Sequence, residues 1–325
     1  MREPPVGMRS KDLTAEAVVF QGDKELAIDS FELVRPEEDD LVVDVFWSGV
    51  STGTEKLLWT GDMPTFPGFS YPLVPGYEAV GRVIACDRAR RLIGRTVFVP
   101  GANCYSGARG LFGASASRIV VPMRRAVVLD GLPKIESTLL ALAATAHHAV
   151  LVGGLPDLVI GHGTLGRLVA RMTMALGGDA PTVWEIDPDR CDGDGYAVCH
   201  PDEDDRTNYS AICDVSGNIN AIDNGIAHAA RGGVLTLGGF YAERPSFAFP
   251  PAFMKEVTLK IAAEWTPEDL SSVLGLVASG ALNFEGLITH IEPAAHADTA
   301  YRQAFEDPAC LKMAIDWRER HDNTH

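Results

Sequence analysis

From residue 14 onward the chain falls into short apolar runs separated by turn residues. "AEAVVF", "LAIDSFELV" and "DLVVDVFWSGV" come first, followed by "EAVGRVIA", "RTVFVP" and "SRIVVPMRRAVVL". Runs of this length, bounded by Gly, Pro and Asp, predict a β-barrel or sandwich. Near Ile135 the period changes. "IESTLLALAATAHHAVLVGG" is rich in Ala and Leu and has helical spacing, which predicts a helix. "LPDLVIGHGTLGRLVARMTMALGG" then passes from an apolar strand through a glycine turn into an amphipathic helix. Strand and helix patterns alternate from there: "PTVWEID", "AICDVSG", "NAIDNGIAHAARGG", "GVLTLGGF", "EVTLKIAA" and "PEDLSSVLGLVASGAL". That alternation predicts a parallel, doubly wound sheet. Residues 187–210 are polar and lack a helix signal, so one crossover is expected to be abbreviated. The tail closes on "CLKMAIDW", and the chain holds no internal repeat or low-complexity tract.

A length of 325 residues suggests two domains. Hydrophobic residues make up 46% and charged residues 22%, as in ordinary soluble proteins. No apolar run approaches the roughly 20 residues that span a bilayer. The opening MREPPVGMRSKD has no apolar core of a signal peptide, so a cytoplasmic location is expected. The net charge of −16 argues against nucleic acid, whose phosphates need clustered Lys and Arg, and against an anionic membrane surface. Six scattered cysteines without a C-x-x-C pair argue against a structural zinc lobe. Separate, reduced thiols are expected.

Gly161-His162-Gly163-Thr164-Leu165-Gly166 fits G-x-G-x-x-G, and it lies between a strand and a helix as that motif requires. Gly161 allows the tight turn. Gly163 lets the backbone approach a pyrophosphate attracted by the helix N-terminus, and Gly166 permits close helix–strand packing. Glu185, 19 residues after Gly166, ends the next predicted strand, where a carboxylate binds a ribose 2′-hydroxyl. It would repel a 2′-phosphate, so NAD is expected rather than NADP. Asp187 is a second candidate for that contact, and the nearby Arg190 works against the NAD assignment. Gly217 and Gly238 complete the candidate cofactor-binding set.

The order of parts resembles the medium-chain dehydrogenases/reductases. "GTEKLLWTG" is similar to that superfamily's G-T-D segment, "VPGYEAVGRV" to its P-G-H-E-x-x-G segment and "TAHHAV" to its interdomain helix; "LITHIEP" and the closing "IDW" look like its C-terminal return. The resemblance covers nearly the whole chain. It implies an α/β protein with a GroES-like β-barrel catalytic domain, residues 1–150 and 286–325, and a Rossmann NAD-binding domain, residues 151–285. Zinc-dependent members hold catalytic zinc with a Cys, the His of G-H-E and a further ligand. Here the cysteine position falls on Thr52 (or on Ser51, one residue back), the histidine position is Tyr77, and only Glu78 of that set remains. Hydroxyls are poor zinc ligands beside thiolate and imidazole, so a zinc-independent member with no metal is expected. Residues 51–81, "STGTEKLLWTGDMPTFPGFSYPLVPGYEAVG", resemble more closely the 3-hydroxyethyl bacteriochlorophyllide a dehydrogenases of bacteriochlorophyll synthesis. In that family a secondary alcohol on the macrocycle is oxidised to an acetyl group with NAD as hydride acceptor.

Such a reaction must remove a hydroxyl proton, and the conjugated macrocycle lets it leave late by stabilising positive charge as hydride departs. Candidates for acid–base work are Tyr77 with Glu78 beside it, Thr52 and Thr54 as a hydroxyl relay, and His147 or His148. Adjacent helical residues point about 100° apart, so one histidine at most is expected to face a cleft. Plainer roles stand beside these: Tyr77 packing on a planar ligand, Glu78 bracing an arginine, a structurally satisfied histidine, and Glu55 with Lys56 as a solvated pair. Trp59, Phe66, Phe69 and Tyr71, interleaved with prolines and glycines, are candidates for a flat wall against a tetrapyrrole, or for a loop tucked onto its own barrel. A zinc-independent quinone or enoyl reductase and a non-catalytic pigment-binding protein are the rival functions. The resemblance also implies a homodimer through an edge strand near Val257–Ala262.

Overall fold

The computed structural model describes residues 13–64, 69–129 and 135–322. The chain divides into two compact units, one of Met1–Leu139 with Phe284–His325 and one of Leu140–Asn283. The helix Leu140–Gly153 therefore belongs to the second unit. Among the described residues no helix is long and apolar enough to cross a membrane.

The first unit is built from the alternating runs. One sheet has four strands in the order Glu25–Glu32, Thr14–Gly22, Leu73–Val74, Arg109–Gly110. The other contains seven strands and is organised around Asp40–Val50. One edge of that strand pairs with Ala79–Ala85, with bulges at Val42/Val43 and Val45/Trp47. Its other edge is shared: Arg118–Pro122 takes the first half, and Met313–Asp316, from the far end of the chain, takes the second. Bulges bend and twist a strand, which suits one that serves two partners in succession. Phe20, Leu41, Val43, Val45, Ile119, Ile315 and Trp317 are fully buried or nearly so in the core between these sheets. Burying each aliphatic or Phe side chain of this kind is worth about 1.5–3 kcal/mol.

The second unit carries a six-stranded, wholly parallel sheet. Its spatial order is Ala197–Cys199, Thr182–Trp184, Leu158–Ile160, Tyr209–Asp214, Ala229–Leu237, Thr258–Ile261. Numbered within the unit, this is 3-2-1-4-5-6, the doubly wound order whose direction reverses between the first and fourth strands. Two connections, not one, lack an α-helix: only the short 3₁₀ turns Pro188–Arg190 and Pro201–Glu203 occupy residues 187–210. Helices Thr54–Thr60 and Phe249–Lys255 had no separate sequence signal. In the second of these, prolines occupy the first turn, where a missing N–H costs no helical hydrogen bond.

Candidate functional site

Gly161 leaves the first strand of the parallel sheet with φ +99°, a conformation that only glycine adopts without strain. A Cβ on Gly166 would lie 1.8 Å from the Gly161 carbonyl oxygen, so the helix Thr164–Ala175 is seated directly on the turn. Nothing stands within 4 Å of where a Cβ on Gly163 would be, and Gly163 is the N-cap. Thr164 is buried and Leu165 half-buried at the start of the helix.

His162 occupies a different environment from its neighbours. It is fully buried; its Nδ1 donates to the Arg190 carbonyl at 2.6 Å, which leaves Nε2 to accept from the Tyr196 hydroxyl at 2.9 Å. Burial lowers its pKa, in keeping with that neutral tautomer. The His162 side chain thus locks the turn to the Arg190–Tyr196 segment.

Glu185 lies beneath the same turn. Its Oε2 accepts from His162 N at 3.1 Å, and Oε1 accepts from Ile186 N at 2.7 Å and Asp187 N at 3.0 Å. Oε2 thus retains one lone pair for a further donor. The Asp187 side chain accepts from Asp189 N at 3.1 Å and lies 3.6 Å from the Arg190 guanidinium, which is held there. Gly217, with φ +69°, follows the fourth strand; Gly238 N donates to the Asp214 carbonyl at 2.8 Å.

In the first unit the Tyr77-Glu78 pair sits above a buried polar cluster. The Tyr77 hydroxyl donates to Ser51 Oγ at 2.9 Å, and Ser51 N donates to Glu55 Oε1 at 3.1 Å. Glu78 makes a direct ion pair with Lys312, and both are buried. Glu78 therefore braces a lysine, not the expected arginine. Glu55 is also buried instead of solvated, and Lys56 donates to the Phe305 carbonyl at 2.7 Å. Burial pushes the Glu55 carboxyl up to about 8; Glu78 adds to the rise, while Lys312 and the Ser51 N–H oppose it. The Glu78 carboxyl is raised by burial against the pull of Lys312. The Tyr77 phenol is likewise pushed up, by burial first and by Glu78 second, with the Ser51 hydroxyl opposing. Thr52 and Thr54 are half-buried on either side of Gly53, which caps the helix Thr54–Thr60. Tyr301, Ser115, Ser48 and Trp317 continue the buried polar chain through bonds of 2.9–3.4 Å.

The aromatic segment is not one wall. Trp59 is buried against Phe305, with ring centroids 5.4 Å apart, and belongs to the core. The Tyr71 hydroxyl donates back to the Leu58 carbonyl, and Phe69 packs edge-on against Tyr71. Phe66 lies outside the described residues. Both histidines of the Leu140–Gly153 helix meet one carboxylate: His147 Nδ1 lies 2.7 Å from Asp269 Oδ1, and His148 Nδ1 lies 2.9 Å from Oδ2. One carboxylate can meet both rings because it presents two oxygens. Asp269 also closes a capping box with Thr266. The spacing Thr266-x-x-Asp269 was its signal in the sequence; for Lys312 the signal was one charged residue inside an apolar strand run. Among the described residues, no three or more His, Cys, Asp or Glu side chains are grouped to hold a metal ion.

No protein-family model matches the chain. It is 52% identical over 313 residues to the 2-desacetyl-2-hydroxyethyl bacteriochlorophyllide A dehydrogenase of Rhodobacter capsulatus, covering 94% of this chain and 99% of that protein. Against the protein of the same name from Cereibacter sphaeroides, identity is 51% over 312 residues, covering 93% and 98%. Among solved structures, L-idonate 5-dehydrogenase from Escherichia coli superposes with a TM-score of 0.82 at 17% identity, over 93% of this chain and 98% of that one. A putative zinc-binding dehydrogenase from Sinorhizobium meliloti bound to NADP gives 0.78 at 17% identity. An alcohol dehydrogenase from Escherichia coli CFT073 complexed with NADH gives 0.79 at 16%. The last two each match over 93% of this chain and 99% of theirs. At such identities these structures establish the fold alone.

Proposed function

This chain belongs to the family of 2-desacetyl-2-hydroxyethyl bacteriochlorophyllide A dehydrogenases, and from that premise we propose that it oxidises the hydroxyethyl group of a bacteriochlorophyllide to acetyl, with NAD as hydride acceptor and without zinc. It is an oxidoreductase acting on CH–OH groups and has the medium-chain dehydrogenase/reductase fold. The observation that carries the substrate reading is identity spread over almost the full length of both chains.

The Leu140–Asn283 unit is assigned to the dinucleotide. Its open Gly163, its seated Gly166 and the helix N-terminus between them fit a pyrophosphate. The free lone pair of Glu185 Oε2 fits a ribose hydroxyl, and its charge disfavours a 2′-phosphate. When bound, the nicotinamide supplies the hydride acceptor. The first unit is assigned to the alcohol. Tyr77, kept neutral by burial, accepts the carbinol proton at its phenol oxygen as its own proton passes to Ser51 Oγ, 2.9 Å away, and the Ser51 hydroxyl proton leaves to solvent. Positioned acid–base groups of this kind contribute about 10²–10⁴-fold. Phe69, with Tyr77, is assigned to the macrocycle face. Zinc does not fit this corner: Ser51 and Tyr77 are hydrogen-bonded to each other, and Glu78 is occupied by Lys312.

The test is an absorbance assay with NAD and 3-hydroxyethyl bacteriochlorophyllide a, on protein whose metal content has been measured. A red shift matched by NADH, without stoichiometric zinc, is the expected result. Binding with no shift would favour a pigment carrier, and no binding would favour a quinone or enoyl reductase.

Cofactor choice has its own test. Glu185→Gln keeps an acceptor for the Ile186 and Asp187 N–H groups and removes the charge, so the NAD-over-NADP preference should fall about tenfold, roughly 1.4 kcal/mol. An unchanged ratio of binding constants would assign the ribose to Asp187.

The homodimer is assigned to the edge strand Thr258–Ile261, where Ile261 is 69% exposed. Beside it the helix Phe249–Lys255 exposes Phe249, Phe253 and Met254 around an apolar pocket of about 450 Å³. Light scattering should give twice the 34.9 kDa chain mass, and Ile261→Lys should shift it to monomer. A monomeric unmodified chain would end this assignment. The unpaired cysteines agree with a cytoplasmic location.

A further inference from the structure

Asp214 is the last residue of the fourth strand of the parallel sheet, next to the first strand and thus at the point where the strand order reverses. Its side chain is completely buried. One oxygen, Oδ1, accepts from Ser216 N at 2.9 Å and from Ser216 Oγ at 2.7 Å. Ser216 Oγ accepts in turn from Asn218 N at 3.1 Å. The Asp214 carbonyl accepts from Gly238 N at 2.8 Å and Gly239 N at 3.1 Å. One residue therefore holds the Val215–Asn218 loop through its side chain and the Gly238–Gly239 loop through its backbone.

The glycine turn rests on the first of those loops. A Cβ on Gly161 would lie 2.9 Å from Ser216 Cα and 3.1 Å from Ser216 N. Val215 N donates to the Ile160 carbonyl at 3.0 Å, and a Cβ on Gly166 would lie 3.5 Å from Val215 Cγ2. Any displacement of residues 215–217 must move the turn. The second carboxyl oxygen, Oδ2, is buried and has only the Tyr241 hydroxyl near it, without a well-formed hydrogen bond between them. A buried, half-satisfied carboxyl is an expensive group to place in a sheet, so packing alone does not account for an aspartate here.

We propose that Asp214 is a positioning residue for the dinucleotide: through Ser216 it fixes the wall that holds Gly161 and Gly166 in register, without touching the cofactor. This rests on the reading of the turn as a nicotinamide dinucleotide site. It is tested on the full chain by fluorescence titration with NADH and with NADPH, with thermal melts alongside, and each variant is scored on the dinucleotide that the unmodified protein prefers. Asp214→Ala should weaken that binding about tenfold or more, on the scale of a lost hydrogen bond to a charged group. Asp214→Asn, which retains an acceptor for Ser216, should stay within about twofold. Ser216→Ala, at an exposed position, should weaken binding about threefold with little change in melting temperature, and it carries the test if Asp214→Ala does not fold.

Two results would overturn the proposal: full dinucleotide affinity in folded Asp214→Ala or in Ser216→Ala, or an Asp214→Asn variant as weak as Asp214→Ala. An unmodified protein that binds neither dinucleotide would defeat the nucleotide reading itself, and this proposal with it.

Discussion

Lys312→Met is expected to destabilise the protein by about 3–5 kcal/mol, the usual cost of leaving one member of a buried ion pair alone. Lys312 and Glu78 are both buried, and Glu78 Oε1 has no hydrogen-bond partner to share its charge. The backbone leaves little room for a substitute: a Cβ on Gly49 would lie 2.3 Å from Glu78 Oε2 and 3.0 Å from Lys312 Cε. Methionine preserves most of the apolar stem of lysine, so the loss reports the charge and not a cavity. Stranded carboxylates escape by taking up protons. The deficit should accordingly be smaller at pH 5 than at pH 8. Adding Glu78→Gln should restore more than half of it. Urea melts of the two variants at both pH values provide the check. A single variant as stable as the unmodified protein would mean that the pair makes no net contribution to the fold.

Stability should also fall between pH 5 and pH 8 by an amount on the order of 3–5 kcal/mol that disappears in Glu55→Gln. Burial raises the Glu55 carboxyl from 4.5 to about 8. Between those values the folded protein holds a proton that the unfolded chain has released. Stability is therefore lost as pH rises through that window, and the contribution is full only below 4.5. Glutamine still accepts from Ser51 N but does not titrate, so the difference between the two profiles isolates the group. Parallel denaturation curves at every pH would exclude Glu55 as the source.

What the sequence revealed and what it concealed follow from how far apart the partners lie. The Gly161–Gly166 turn was legible because its demands, a left-handed residue and two close approaches, fall within six consecutive positions. The parallel sheet was legible through the alternation of its runs. Lys312 and Glu78 are 234 residues apart, and His147 and Asp269 are 122 apart, so no local pattern joins them. Trp59 misled because its prolines and glycines suggested a loop, whereas Thr54–Thr60 is helical and turns the indole into the core. Glu55 misled in the same way: beside Lys56 it looked like a solvated pair, and the helix placed the two in opposite surroundings.

The pairing of Met313–Asp316 with the second half of Asp40–Val50 also imposes an order on biosynthesis. At about 5–20 residues per second, tens of seconds separate the synthesis of these two strands. Throughout that interval the nascent chain carries Glu78 without its counter-charge and an open strand edge along Trp47–Val50. The Leu140–Asn283 unit has every strand of its sheet in hand before Met313–Asp316 is made. Although it starts second, it is positioned to finish first, and the emerging nascent chain must protect the unpaired half of the earlier sheet until its last strand leaves the ribosome.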